Sequence, residues 1–220
     1  GPDYIPQNSS FSEKITDAIL SHKYFGSGVL AHSYYDKSKI IKQPSAISLC
    51  NFIVKKEAFD EFGFNERIGY GGEDTEFLYL LMKKYNMKFS YEPAIYVYHK
   101  KRKFGYSYFK QRLKFRINNG KMIFAYPDLY LANKKFMLFL LGITFGLIVL
   151  FAQPRIFLAG FALYFLLLIL LSASFIKKDI RLFILLPPLL FIQHIIYYCG
   201  IVAGLLNFYK YRELKKIRRI

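Results

Sequence analysis

Residues 156–176 read IFLAGFALYFLLLILLSASFI, an uncharged run of 21 positions. As a helix it is long enough to cross a bilayer core of about 30 Å. A second uncharged run, Phe136–Ala152, lies just upstream. It spans roughly 25 Å as a helix, slightly short of the core. A third, Leu182–Tyr209, is broken by Pro187-Pro188 and carries Gln193 and His194. The expectation is a span over about 182–208, kinked by the proline pair. The alternative is a re-entrant or interfacial piece followed by a span. His194 is read either as a functional group, since polar groups are costly in a membrane, or as a histidine near an interface or hydrogen-bonded between helices. The sequence therefore divides into a water-facing domain, residues 1–132, and a membrane anchor, residues 133–220, with spans at about 136–152, 156–176 and 182–208.

The chain has 220 residues and a formal net charge of +17. The charge is concentrated. Lys100, Lys101, Arg102, Lys103, Lys110, Arg112, Lys114, Arg116 and Lys121 stand in a segment without an acid, and Lys210, Arg212, Lys215, Lys216, Arg218 and Arg219 crowd the last residues. Beside apolar runs, such clusters suit membrane lipids and lipid phosphates; no nucleic-acid module is present. Two cysteines, Cys50 and Cys199, make neither a disulfide framework nor a zinc spacing. Lys134, Lys135, Lys177, Lys178 and Arg181 place the water-facing domain on the cytoplasmic side by the excess of basic residues there. Three full spans would then put the basic C-terminal residues outside, against the same rule. One segment is therefore expected not to cross, and the proline-broken third run is the candidate.

The water-facing part reads as an α/β domain. Ala46–Val54 alternates and is rich in branched and aromatic residues, as a buried strand does. Lys55–Phe62 reads as a short helix ended by Gly63. A glycine-bearing loop with Gly69, Gly71 and Gly72 leads into Glu73-Asp74-Thr75-Glu76, which opens a helix. Phe77, Leu81 and Tyr85, with Leu78 and Met82, define its apolar face, and Asn86 is its expected stop. Lys88–Tyr91 and Ala94–His99 read as two short strands. Phe109, Leu113 and Ile117 share a face beside Lys110, Arg112, Lys114 and Arg116, giving a basic amphipathic helix at about 105–119.

Asp74 is the strongest candidate for chemistry. It sits where a glycine loop enters a helix, where free backbone N–H groups favour an ionised carboxylate, and a positioned carboxylate can take a proton from a hydroxyl. Acids at helix starts are also ordinary caps.

A wider pattern surrounds it. Phe59-x-x-Phe62-Gly63-Phe64-Asn65-Glu66, then Gly72-Glu73-Asp74-Thr75-Glu76, then Tyr91-Glu92-Pro93, then Val97-x-His99 resembles the C-terminal half of family-2 glycosyltransferases, membrane-linked enzymes of the GT-A fold. The opening Gly1-Pro2-Asp3 resembles a segment following that family's metal-binding Asp-x-Asp. His194, Tyr197, Gly200 and Gly204 resemble the last span of exopolysaccharide-type members. The resemblance implies a partial GT-A domain followed by about three transmembrane helices. It implies Asp74 as catalytic base with Glu73 supporting the acceptor, Gly72, Gln111 and Arg112 at the substrate, and His99 near the donor diphosphate as a cofactor-binding residue and metal ligand. The substrates would be a nucleotide-sugar donor and a lipid-linked or polysaccharide acceptor, with a divalent metal (Mn or Mg) mostly held by residues absent from this chain. Asn65 and Leu80 depart from the pattern, which has Asp and Arg there. No Asp-x-Asp occurs in the sequence. The expectation is therefore that a donor-binding half of about 100 residues is missing. The alternative reading is a non-catalytic membrane anchor or a module binding anionic lipid or a partner. A channel is disfavoured by the near absence of charge in the spans.

Overall fold

The computed structural model describes all residues except 23, 25, 33, 34, 67, 69, 70, 132 and 208–220. Gly69, the last two residues of the third uncharged run and the basic C-terminal cluster thus lie outside the described residues. The protein is mostly helical. Four short strands are described: β1 (Asp3–Tyr4), β2 (Lys39–Ile41), β3 (Phe89–Tyr91) and β4 (Val97–Tyr98). They form two separate two-stranded sheets, β1 parallel to β4 and β2 antiparallel to β3. The expected α/β character is therefore present only in reduced form.

Eight helices follow from recognisable local causes. α1 (Phe11–Ser21) begins at a reciprocal capping box between Ser10 and Glu13. α2 (Lys56–Phe62) ends at Gly63, whose φ of 53° suits a residue without Cβ and whose N–H reaches Phe59 O at 2.8 Å. α3 (Glu73–Tyr85) stops at left-handed Asn86. Its Phe77, Leu78, Leu80 and Leu81 are buried, while Tyr85 is exposed. α4 (Tyr106–Ala125) extends the basic amphipathic helix by nearly two turns beyond the sequence reading. α5 (Pro127–Leu131) leads into the membrane block.

The expected strand over Ala46–Val54 is absent. Short 3-10 turns stand at Pro44–Ala46 and Leu49–Asn51 instead. Ser48 explains the second: its hydroxyl accepts from the Cys50 N–H, a local bond that competes with sheet pairing. The apolar residues Ile47, Leu49, Phe52 and Val54 still pack partly buried against Phe77, Leu81 and Phe89. The pattern located the core face correctly and mistook the backbone.

Among the described residues, three helices are long and apolar enough to cross a membrane: α6 (Lys134–Ala152), α7 (Pro154–Ser172, continued by a 3-10 turn to Phe175) and α8 (Ile180–Leu206). They mark the protein as membrane-associated. α6 and α7 are joined by Gln153 alone and pack against each other. α8 runs as one continuous helix through Pro187 and Pro188. Its Leu182, Leu186 and Leu190 join Ile15, Ile19, Tyr108 and Leu168 in one buried cluster. Full burial of such side chains is worth about 1.5–3 kcal/mol each.

Candidate functional site

Asp74 is half-buried in the first turn of α3 and lines an open cavity of about 2230 Å³. The polar end of this cavity also holds His99, Gln111, Arg112 and Arg116. Apolar residues line it as well, with Phe139 and Gly142 from α6, Phe161 and Tyr164 from α7, and Phe191 from α8. Three elements thus converge. α3 presents Asp74, the segment after β4 presents His99, and α4 presents Gln111, Arg112 and Arg116, the last two four residues apart and so neighbours on its surface.

The two acids at the start of α3 have divided roles. Glu73 accepts from the N–H groups of Gly71 (2.7 Å) and Gly72 (2.8 Å), folding back on the loop that precedes it. It therefore takes the loop donors that the sequence assigned to Asp74. Asp74 accepts from Thr75, through the backbone N–H at 2.7 Å and the hydroxyl at 3.3 Å. Burial raises the Asp74 pKa above the ordinary carboxylate value; the Thr75 N–H opposes the rise and the nearby Glu73 charge adds to it. The shift is opposite in sense to the lowering expected from a helix start alone. A carboxylate made more basic at a cavity wall is equipped to receive a proton.

Gly72 is buried beneath this turn and does not line the cavity; a Cβ there would lie 2.7 Å from Met122 Sδ and 2.9 Å from Ile68 Cγ2. Gly71, at φ 92°, does line it, against the Phe115 ring. Of the six residues singled out from sequence, Asp74, His99, Gln111 and Arg112 face the cavity, and Gly72 and Glu73 support its wall.

His99 belongs to a cluster that the sequence did not announce. Parallel pairing of β1 with β4 sets Asp3 beside Val97 and carries the His99 N–H to Tyr4 O at 2.8 Å. Asp3 is 0% exposed. Its carboxylate contacts His32 Nδ1 at 2.8 Å, His99 Nδ1 at 3.0 Å, Lys101 Nζ at 2.8 Å and Cys50 Sγ at 3.4 Å. Burial works against its charge, but hydrogen bonds from His32, His99 and Lys101 outweigh burial and hold the carboxyl well below the usual range. The bond to Asp3, followed by that to Cys50, raises His99 to about 9. Burial lowers His32.

Asp3, Cys50 and His99 lie close enough together to hold a metal ion. The donor set does not fit Mg²⁺ or Mn²⁺. Those ions take several oxygens, and here one carboxylate stands with a thiol, an imidazole and an ammonium at 2.8 Å. The cluster is a neutralised buried carboxylate that ties the chain start to the segment after β4. Lys101 and His32 were missed because their partner lies 98 and 29 residues away, with no local pattern to mark them.

His194 behaves as the bonded histidine of the sequence reading. Its Nδ1 meets the Tyr164 hydroxyl at 2.6 Å, and its ring stands edge-on to Phe139. Comparison with known proteins finds no family model, no curated protein and no solved structure that matches this chain.

Proposed function

We propose that the chain is the acceptor-side part of a membrane-bound, inverting glycosyltransferase of GT-A type, with Asp74 as general base. The observation that carries this reading is the placement of Asp74, half-buried and raised in pKa, in a cavity with a cationic end and apolar walls. The order of the Gly-Phe-Asn-Glu, Glu-Asp, Tyr-Glu-Pro and Val-x-His segments supports it. An acceptor hydroxyl gives its proton to Asp74 as its oxygen bonds to the anomeric carbon, and the bond from that carbon to the diphosphate breaks on the opposite side, releasing the nucleoside diphosphate. The donor and its divalent ion would need carboxylates beyond those brought together at this cavity, so none of its residues is assigned to hold them. Arg112 and Arg116 would hold an acceptor phosphate, while the walls from α6, α7 and α8 would take a hydrocarbon tail. That shape favours a lipid-linked acceptor over a free polysaccharide. Lys134, Lys135, Lys177, Lys178 and Arg181 on one side, against Arg155 alone at the α6–α7 junction, support a cytoplasmic water-facing domain.

The test uses the protein in membranes of its source, supplied in turn with radiolabelled nucleotide sugars. Lipid-extractable label should appear with one of them, and Asp74→Asn should lower it by about 100-fold or more. Undiminished transfer by that variant would remove the base assignment. A second reading, a non-catalytic module for anionic lipid, is favoured by buried Leu80 and the missing Asp-x-Asp. It predicts salt-sensitive liposome binding with no transfer from any donor.

A further inference from the structure

We propose that Asp3, Cys50 and His99 form a binding site for a zinc ion. The ligating atoms of the three residues all lie within 4.8 Å of one another. Asp3 Oδ2 is the hub, 3.0 Å from His99 Nδ1 and 3.4 Å from Cys50 Sγ. Zinc binds oxygen and nitrogen at about 2.0–2.1 Å and sulfur at about 2.3 Å, in a tetrahedron. Those lengths set oxygen and nitrogen ligands about 3.3 Å apart, and oxygen and sulfur ligands about 3.5 Å apart. The observed separations agree to within a few tenths of an ångström, so small side-chain rotations admit the ion. A proton relay would place the imidazole between the acid and the thiol. Here the imidazole and the thiol meet the same oxygen, as ligands gather around an ion.

The donor types select the metal. A thiolate, an imidazole and a carboxylate suit zinc, whereas Mg²⁺ and Mn²⁺ take oxygens. Three segments far apart in sequence supply the ligands, and their backbones are tied together beforehand. Asp3 lies in β1, which pairs with β4, and β4 ends one residue before His99. Cys50 lies in the 3-10 turn Leu49–Asn51. The Asn51 side chain fixes that turn to the entries of both strands, donating to Pro2 O at 3.3 Å and Ile95 O at 2.8 Å. The ligands have orienting partners of their own: the Ser48 hydroxyl donates to Cys50 Sγ at 3.1 Å, and His32 Nδ1 meets Asp3 Oδ1 at 2.8 Å. Lys101 Nζ also contacts Asp3 Oδ2, at 2.8 Å. A zinc ion held by one carboxylate and one thiolate carries no net charge, and a carboxylate oxygen has two lone pairs, so ion and ammonium can share Asp3. On binding, Cys50 releases its thiol proton and His99 any proton on Nδ1 to solvent. Asp3 is buried while Cys50 and His99 are exposed. The ion therefore enters from the solvent side, and water completes the fourth position. Bound there, zinc clamps β1, the Leu49–Asn51 turn and the segment after β4 at the edge of the cavity that His99 lines.

The test uses the full chain in detergent, freed of metal with a chelator. Co²⁺ is the spectroscopic probe, because a thiolate ligand gives it a charge-transfer band in the near ultraviolet. The band should saturate at one Co²⁺ per chain and vanish when Zn²⁺ is added. It should be absent in Cys50→Ser, unchanged in Cys199→Ser, and need about 10-fold more Co²⁺ or beyond in His99→Gln. A second measurement needs no change at the site. In the Cys199→Ser chain, one equivalent of Zn²⁺ should slow alkylation of Cys50 by about 10-fold or more, and Mg²⁺ or Mn²⁺ should not. Absence of the band, its survival in Cys50→Ser, or equal protection by Mg²⁺ and Zn²⁺ overturns the proposal. Transfer activity does not enter the readout, so failure of the transferase reading leaves this result unaffected.

Discussion

Adding a methyl group at Gly204 tests the seating of α4 on α8 directly. Its Cβ would overlap the carbonyl oxygen of Ile117 and lie 2.9 Å from Gly120 Cα, both backbone atoms. Neither can rotate away, so the two helices must separate by about 1 Å or more to reach ordinary contact. Overpacking of this kind costs about 1–3 kcal/mol. Against it stands the gain of replacing a mid-helix glycine with alanine, about 0.5–1 kcal/mol. The net expectation for Gly204→Ala is a loss of about 1–2 kcal/mol. For a chain of this size that lowers the Tm by about 2–8 °C. Gly146→Ala on α6 is the control, because nothing lies within 4 Å of a Cβ there; it should be neutral or slightly stabilising. The assay is thermal unfolding in detergent, followed by tyrosine near-ultraviolet circular dichroism. Equal melting of Gly204→Ala and Gly146→Ala would refute the close α4–α8 contact.

Other outcomes follow from the charged groups. Lys101→Met leaves Asp3 buried without its ammonium and should cost about 3–5 kcal/mol in equilibrium unfolding, whereas an exposed control, Lys103→Met, should change stability by less than about 0.5 kcal/mol. His99 is raised to about 9 in the folded protein from an ordinary value near 6.5, so its stabilising share is complete below about 6.5 and is lost as pH rises through about 9. Melting temperatures between pH 6.5 and 9.5 should therefore fall more steeply in wild type than in His99→Gln; parallel curves would contradict the bond to Asp3. Since burial raises Asp74, the acid limb of a kcat/KM profile should lie above the ordinary carboxylate value of about 3.9. A limb at or below that value would mean that Asp74 is not the titrating base.

Periodicity revealed most of what local chemistry controls. The stops at Gly63 and Asn86, the start of α3 and all three apolar helices stand within a few residues of where sequence puts them. The same reasoning failed at Ala46–Val54 because alternation reports which side chains face the core, while Ser48 decides the backbone. At the site, Asp74 was legible as a helix-start acid, but the direction of its pKa shift was not. The sense of the shift depends on Glu73 taking the loop N–H groups and on the walls that bury Asp74. The Asp3 cluster was illegible for a different reason. Its members come from residues 3, 32, 50, 99 and 101, and only the parallel pairing of two-residue strands brings them together.

The single-residue junction at Gln153 also fixes how deep the protein can reach. α6 and α7 each have 19 residues, about 28 Å of helix. Exposed Arg155 stands just beyond the junction. In a bilayer with a core near 30 Å, the tip of this hairpin just meets the far headgroups. A thicker bilayer would pull the Arg155 guanidinium into the acyl chains or squeeze the lipids around it, at a cost of fractions of a kcal/mol for each added Å. A hairpin of this length, crossing from one side, would therefore gauge membrane thickness and favour a thinner membrane over a thicker one.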